Sequence, residues 1–437
     1  MSLRVTIGTL TLLYTAVFLT RIGFGTILII FPNKSYLNVN SSALVGLIIA
    51  LYPLVEGIAA LPVGTYIDRR GRRRAFVIGM ALISILTLVL GLTNNVLIVG
   101  PAHAIMGLSA ASVTIASLTM ITDLTVVQNR GIGMGAFNLA NLLGYGIGVA
   151  LGLVFSTLFA ERLANSFLVV APIFGAATVF VYFLLREPDH AASRRLSLKE
   201  MYDSLTGEMS AIFPLWFSLT VIVGLYFFLP RLASGITGSS GQSVVTTSTI
   251  PLILVGLAIL GIGSLFFGRL SDKIGRMRTI LIGVLGETGF LIVFPALFQQ
   301  LIVVPQGVGV IQGFVNGFQQ AGILGVLGGV LFFLGSALIP TILAYVGDKA
   351  ARDYRGAAMG LYSLMLSAGI AIGNLLAGVA DEVGSQGGLN PSGGIQAVFY
   401  TGVIIFSTLS LTSGILIRRN RLGPTQPIIP KQGTGPL

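Results

Sequence analysis

The feature that most constrains this chain is a series of apolar segments, each about 20 residues long. A helix of that length crosses the ~30 Å hydrocarbon core of a bilayer, and such segments recur about twelve times. Because lipid offers no partner for an exposed backbone group, every segment is predicted to be a helix. The predicted spans lie near 6–31, 42–65, 75–95, 97–121, 134–159, 165–185, 211–233, 247–268, 279–299, 322–346, 357–380 and 395–417.

The composition excludes the soluble classes. Of the 437 residues, 54% are hydrophobic and 9% are charged, whereas a soluble domain carries about a quarter charged residues. The net charge of +11 sits in short loops between apolar segments, which argues against a nucleic-acid partner. The sequence contains no cysteine, no phosphate-binding loop and no His/Glu metal cluster. We therefore predict no ATP hydrolysis, no enzyme activity, no cofactor and no metal.

A short and very basic turn separates the second and third apolar segments, and it occurs twice. The copies share the frame Gly-x-x-x-Asp-Arg/Lys-x-Gly-Arg, 204 residues apart: Gly64, Asp68, Gly71 and Arg72 in the first, and Gly268, Asp272, Gly275 and Arg276 in the second. We expect the first glycine to let one helix end approach its neighbour, and the second to allow a backbone bend.

A second repeat supports a duplication. Seven positions recur with a constant shift of 225 residues: Asp123, Arg130, Gly131, Met134, Gly135, Gly144 and Gly148 return as Asp348, Arg355, Gly356, Met359, Gly360, Gly369 and Gly373. The second half must therefore hold 21 more residues between the two motifs, which we assign to a longer outer loop over Val304–Gln320. The glycines at 144, 148 and 152, and at 369, 373 and 378, permit close helix contact. We expect them where the two halves meet.

The positions of lysine and arginine predict the orientation. With the N-terminus inside, nearly all of them fall in inner segments, whereas Lys34, Arg162 and Arg231 fall outside. This asymmetry predicts a multi-pass protein of the plasma membrane with both termini cytoplasmic. The expected organisation is a six-helix bundle over 1–185, a cytoplasmic linker over 186–210, a second bundle over 211–418 and a disordered cytoplasmic tail over 419–437.

Two six-helix halves, the duplicated basic turn and a central linker resemble the major facilitator superfamily over roughly residues 5–418. The stretch Val45–Arg74, and the Ile30-Phe31-Pro32 end of the first helix, are similar to its 12-helix drug:proton antiporter branch. This resemblance implies an all-α membrane protein built from two pseudo-symmetric bundles.

The resemblance also implies a cytoplasmic latch that holds the outward-open state. In such a latch Asp68 would face the positive N-terminal end of the helix that opens at Gly356, and Arg72 would pair with Asp123. The alternative, favoured for the remaining arginines of the turn, is that they only set topology. The predicted gate comprises Gly64, Asp68, Arg69, Gly71, Arg72, Asp123, Arg130, Gly268, Asp272, Gly275, Arg276, Asp348 and Arg355.

Four ionisable residues lie within the predicted spans: Arg21, Glu56, His103 and Glu287. Such residues are costly in lipid and usually face a cavity or a partner. The resemblance places the helices of Arg21, Glu56 and His103 around a central cavity, and the helix of Glu287 at the periphery. For Glu287 a local hydrogen bond is the favoured interpretation. The predicted proton or substrate site comprises Glu56, Arg21, His103, Tyr52, Asn138, Asn141, Tyr145 and Glu287.

Glu56 is the main candidate for a proton site, because burial favours the neutral, protonated carboxyl. The alternative is a permanent ion pair with Arg21, which would keep Glu56 charged. Arg21 could instead hold an anionic group of a substrate.

These features predict a secondary transporter that works by alternating access. We expect proton-coupled export of a small amphipathic or drug-like solute by a monomer, with protons, solute and the lipid bilayer as its partners. The alternative is a symporter or uniporter of a small organic anion. A membrane sensor or membrane-embedded enzyme would require a soluble domain or a catalytic constellation, and the sequence contains neither.

Overall fold

The computed structural model describes residues 3–33, 35–124, 130–185, 187, 207–229, 231–232, 249–302, 310–349, 355–386 and 392–422. In these residues the regular structure is helical. The helices are α1 (Leu3–Ile30), α2 (Ser42–Arg70), α3 (Arg72–Leu92), α4 (Val96–Leu124), α5 (Arg130–Leu158), α6 (Ala164–Leu184), α7 (Gly207–Phe227), α8 (Thr249–Ile274), α9 (Arg276–Ile302), α10 (Val310–Gly335), α11 (Leu338–Lys349), α12 (Arg355–Gln386) and α13 (Ser392–Leu422).

Twelve of the described segments are long and apolar enough to cross a membrane, which confirms the predicted spans. The tenth of these, Ala321–Tyr345, includes most of α10 and part of α11. Helix α7 begins within the expected linker, and α13 runs four residues past the expected end of the second bundle. The rest of the linker and the tail, 188–206 and 423–437, lie outside the described residues.

The two copies of the basic turn have the same backbone geometry. Gly71 is the single residue between α2 and α3, with φ of 96°, and Gly275 is the single residue between α8 and α9, with φ of 94°. Side chains with a Cβ rarely adopt such positive φ values, so glycine is required at both bends. The predicted bend is therefore confirmed in both halves.

Helix packing follows the duplication as well. In the first half α1 packs on α5, and α3 packs on α4 and α6. In the second half α7 packs on α12, and α9 packs on α10 and α13. Across the halves α2 meets α12, and α8 meets α5. Exchanging each span for the one six places later reproduces every one of these pairs, as expected for two pseudo-symmetric bundles.

The halves are in close contact along the Ser42 end of α2. A Cβ added at Gly46 would lie 3.0 Å from the Cα of Gly378 in α12, and one at Gly57 would lie 3.1 Å from the Cβ of Ser367. Among the described residues, a Cβ at Gly64 or Gly268, towards the basic turns, would meet no neighbouring helix or side chain within 4 Å. The close approach expected at these two glycines stays a prediction.

One loop prediction was wrong. The stretch Val304–Gln320 was expected to be an outer loop, but α10 already begins at Val310. Its apolar residues recur at helical spacing: Val310, Ile311, Phe314, Val315 and Phe318. This pattern favours an amphipathic helix despite the polar and glycine content. The helix breaks only at Gly322, where φ is 49° and ψ is −130°.

The expected location of the packing glycines was also mostly wrong. Gly144, Gly148 and Gly152 of α5 face α1 within the first half, and Gly369 and Gly373 of α12 face α7 within the second. Of the six, Gly378 lies at the interface between the halves, against Ser42 and Gly46. The reason is that small residues are needed wherever two helix backbones approach closely, and the tightest approaches here are internal to each bundle.

Candidate functional site

Arg21, on α1, is held by neutral side chains from two other helices. Its Nε donates to Oδ1 of Asn141 at 2.6 Å, its Nη1 to the hydroxyl of Tyr145 at 3.1 Å, and its Nη2 to Oγ1 of Thr114 at 3.3 Å. The amide of Asn141 in turn donates to the backbone oxygen of Phe137 at 2.9 Å, which orients its oxygen toward the guanidinium. These contacts fix a positive charge without neutralising it.

Two glycines of α5 make this arrangement possible. A Cβ at Gly144 would lie 2.7 Å from the Cβ of Arg21, and a Cβ at Gly148 would lie 2.9 Å from the Cα of Gly25. The absence of side chains lets the α1 and α5 backbones come together. Asn141 and Tyr145, one helical turn apart and flanking Gly144, are thereby brought within reach of the guanidinium.

An aromatic stack continues from Arg21 toward the Ser42 end. The ring of Phe24 lies 5.6 Å from the Arg21 guanidinium and 5.7 Å from the ring of Tyr52. Tyr52 stacks on His103 at 5.3 Å, and His103 stacks on Phe31 at 4.0 Å. His103 is buried. Its ring contacts make it part of the aromatic stack that begins beside the Arg21 cluster.

Glu56, on α2, is half-buried and lies within electrostatic reach of Arg21 and Tyr52. A Cβ at Gly107 of α4 would lie 3.0 Å from the backbone nitrogen of Glu56, and Gly57 faces α12. Among the described contacts, none bonds the Glu56 carboxyl directly to the guanidinium of Arg21. The two side chains therefore lie in one interior region, without a described direct bond between them.

Glu287 lies apart from this cluster, on α9 in the second half. Its side chain is 5% exposed, and its Oε1 accepts a hydrogen bond from the hydroxyl of Tyr226 at 3.1 Å. The rings of Phe290, Phe294 and Phe399 surround Tyr226 at 6.5, 6.3 and 6.1 Å. This geometry matches the favoured interpretation of a local hydrogen bond.

At the basic turn of the first half, the structure shows an additional acid. The carboxylate of Glu187, which follows α6, accepts hydrogen bonds from the backbone nitrogens of Arg72 at 2.7 Å and Arg73 at 2.8 Å. It therefore caps the N-terminus of α3. The side chain of Arg73 also donates to the backbone oxygen of Tyr182 and lies over its ring. The turn is thus tied to the end of α6.

In the second copy of the turn, Nη1 of Arg276 lies 2.6 Å from Oδ1 of Asp272, an ion pair within the motif itself. Several predicted residues have side chains that lie outside the described ones: Asn138, Asp68, Arg69, Asp123, Arg130, Asp348 and Arg355. The expected pair of the latch, Arg72 with Asp123, therefore stays a prediction.

The sequence reasoning missed Thr114 and Glu187. Thr114 and Glu187 carry no signal in a single sequence, because their roles depend on which helices pack together. Arg231 was noted only as an arginine on the unfavoured side of the membrane. An arginine that departs from the charge rule was itself a sign of a structural role.

Comparisons with known proteins show the family of this chain. Residues 13–329 match the family model of the Major Facilitator Superfamily. Multidrug resistance protein 1 of Bacillus subtilis (strain 168) is 23% identical over 420 residues, which cover 94% of this chain and 95% of the relative. The multi-drug resistance efflux pump PmrA homolog of Lactococcus lactis subsp. lactis (strain IL1403) is 27% identical over 263 residues, 58% of this chain and 62% of the relative.

Solved structures show the same fold. A bacterial homolog of the human lysosomal transporter Spinster, in an inward-facing and unoccupied conformation, aligns with a TM-score of 0.71 at 16% identity. The alignment covers 96% of this chain and 98% of that chain. The nucleoside transporter NupG aligns with a TM-score of 0.66 at 14% identity, over 95% of this chain and 100% of that chain. With a family model matched over most of its length, this chain belongs to the Major Facilitator Superfamily and is a membrane transporter rather than an enzyme.

Proposed function

We propose that this transporter exports a small amphipathic, drug-like solute by alternating access, driven by a proton gradient. The observation that carries the proposal is the pairing of a fixed cation with a free acid. Arg21 is held by neutral partners, while Glu56 lies nearby without a direct bond to it. An acid in this position can bind a proton when the site faces one side of the membrane and release it when the site faces the other.

The multidrug resistance relatives support the solute class. The aromatic rings of Phe24, Tyr52 and Tyr145 beside the two charges suit a flat, partly apolar solute. We infer a plasma-membrane protein with the basic turns and both termini on the cytoplasmic side, because the positive-inside rule puts segments rich in lysine and arginine there. With that orientation the Ser42 end, where the two halves are in close contact, is extracellular.

The test is flux of the fluorescent cation ethidium in proteoliposomes, with and without an imposed pH gradient. The wild type is expected to concentrate ethidium only with the gradient. Glu56→Gln is expected to lose the flux that the pH gradient drives. It should retain the flux of ethidium down the concentration gradient of ethidium itself. Glu161→Gln, which changes an exposed acid in the α5–α6 loop, is the matched control and should behave as the wild type. Flux in the wild type that does not depend on the pH gradient would contradict the proton coupling.

The alternative cargo, a small organic anion, is favoured by one observation. The three described hydrogen-bond partners of Arg21 are neutral, which leaves its positive charge available to an anion. In the same proteoliposomes, uptake of benzoate that is saturable and lost in Arg21→Gln would favour the anion. Saturable ethidium flux with no benzoate flux would exclude it.

A further inference from the structure

Arg231, which follows α7, bonds across the interface between the two halves. Its Nη1 donates to the backbone oxygen of Leu37 at 3.3 Å, and its Nη2 donates to the backbone oxygen of Val39. Leu37 and Val39 belong to the loop between α1 and α2, so the bonds join the second half to the first. The side chain is 1% exposed. Burying an arginine is costly, and the two carbonyl oxygens offset part of that cost.

A second contact crosses the interface close by. Oε2 of Glu382, near the end of α12, accepts hydrogen bonds from the hydroxyl of Ser41 at 2.7 Å and from the backbone nitrogen of Ala43 at 2.8 Å. Ser41 is itself the N-cap residue of α2. The carboxylate of one half therefore caps a helix of the other, where the positive end of the helix dipole favours a negative charge.

Both contacts lie at the end where the halves are already pressed together. Gly46 and Gly378 meet one turn further along α2, and Asp381, next to Glu382, lies within electrostatic reach of Arg231. At the opposite end, a Cβ at Gly64 of α2 would meet no described neighbour within 4 Å. The charged contacts described above thus join the halves at the end where the helix backbones are also in close contact.

We propose that Arg231 and Glu382 form a lock that holds the Ser42 end of the transporter closed and that must break each time this end opens. The proposal rests on the alternating-access function proposed above. It explains why an arginine is kept on the side of the membrane where arginine is otherwise scarce. Each charge-assisted bond shifts a two-state equilibrium by roughly 10- to 100-fold, so losing either contact should release the closed state.

The absence of native cysteine allows a direct test with paired spin labels. Asn94→Cys, in the α3–α4 loop, and Ala296→Cys, near the end of α9, are exposed positions on opposite halves at the closed end. Double electron–electron resonance then gives the distribution of distances between them. Neither solute nor gradient is needed, so the lock is tested independently of the transported solute and of proton coupling.

In the labelled parent we expect one dominant short distance. Glu382→Ala and Arg231→Gln should each raise the long-distance population about 10-fold or more. Ser41→Ala should shift it in the same direction by less, because Glu382 keeps its bond to Ala43. The matched controls Glu161→Ala and Arg162→Gln, in the exposed α5–α6 loop at the same end, should leave the distribution unchanged.

Unchanged distances in Glu382→Ala and Arg231→Gln would overturn the lock. If Arg231→Gln fails to fold, Glu382→Ala and Ser41→Ala decide the question alone. If these variants shift to longer distances but the wild type transports ethidium without a pH gradient, the proton coupling is overturned. The proposed lock then stands.

Discussion

The two halves of this transporter share one scaffold but differ in the chemistry they place on it. In the first half Gly144 meets α1 beside Phe18 and Arg21. In the second half Gly369 meets α7 beside Phe217 and Thr220, at the equivalent positions. The same helix contact therefore carries a half-buried cation in one half and a neutral hydroxyl in the other.

The embedded acids differ in the same way. Glu56 of the first half lies within reach of Arg21 on the side of α2 that faces the interior. Glu287 of the second half sits on α9, among aromatic rings, with its bond from Tyr226. The comparison teaches that the two halves share the packing of their helices but place their embedded acids in different surroundings.

The largest expected effect tests the shared scaffold. Gly148→Ala and Gly373→Ala should each destabilise the protein by about 2 kcal/mol or more, because the added Cβ would overlap the facing helix backbone. The apparent melting temperature in detergent measures this. Gly100→Ala and Gly414→Ala, where a Cβ would meet no atom within 4 Å, are the controls and should change little. A large loss in only one half would break the equivalence of the two scaffolds.

The next effect tests the difference in charge. Arg21→Gln should lower ethidium flux in proteoliposomes about 100-fold, because it removes the charge that shares the site with Glu56. Thr220→Val removes a hydroxyl that bonds only to backbone oxygens of Phe217 and Met365, so flux should fall less than about 10-fold. Equal losses from the two substitutions would show that the second half contributes as much chemistry as the first.

A smaller effect is expected at the acid of the second half. Glu287→Gln keeps an oxygen that can accept the hydrogen bond from Tyr226, so gradient-driven flux should stay within about twofold of the wild type. Its matched partner is Tyr226→Phe, which removes the hydroxyl and should cost about 1 kcal/mol of stability without abolishing coupling. Loss of gradient dependence in Glu287→Gln would move proton coupling into the second half.

The smallest effect concerns the basic turns. Glu187→Gln weakens the cap on α3, so we expect a loss of about 1 kcal/mol in stability. In the second copy Asp272→Asn removes a surface ion pair with Arg276, in which Asp272 is 65% exposed, and the loss should be below about 0.5 kcal/mol. Chemical denaturation in detergent distinguishes the two, and equal effects would contradict the unequal anchoring of the turns.

Much of this fold was predictable from the sequence, because membrane spans are recognised from apolar composition and repeats from the spacing of their residues. The twelve spans and the bends at Gly71 and Gly275 follow from apolar length and from a repeated frame. The neighbouring helix that a glycine face contacts was not predictable in this way. Gly144 and Gly148 face α1 rather than the other half, and periodicity within one helix does not identify which neighbour it meets.

The candidate site was predictable in its members and less so in its connections. Arg21 and Glu56 stand out because charges in apolar spans are rare. Their arrangement depends on Asn141 and Thr114, two ordinary polar residues from different helices that only tertiary packing brings to the guanidinium. The contact of Glu382 with Ser41 joins residues 341 positions apart, a separation that a single sequence leaves undetected.

The central claim is that the proton and the solute meet at the acid of the first half. The most direct measurement is proton release when ethidium binds to purified protein in weakly buffered detergent, followed with a pH electrode. We predict release from the wild type and from Glu287→Gln, and none from Glu56→Gln at saturating ethidium. Undiminished release from Glu56→Gln, or its loss in Glu287→Gln, would contradict the account.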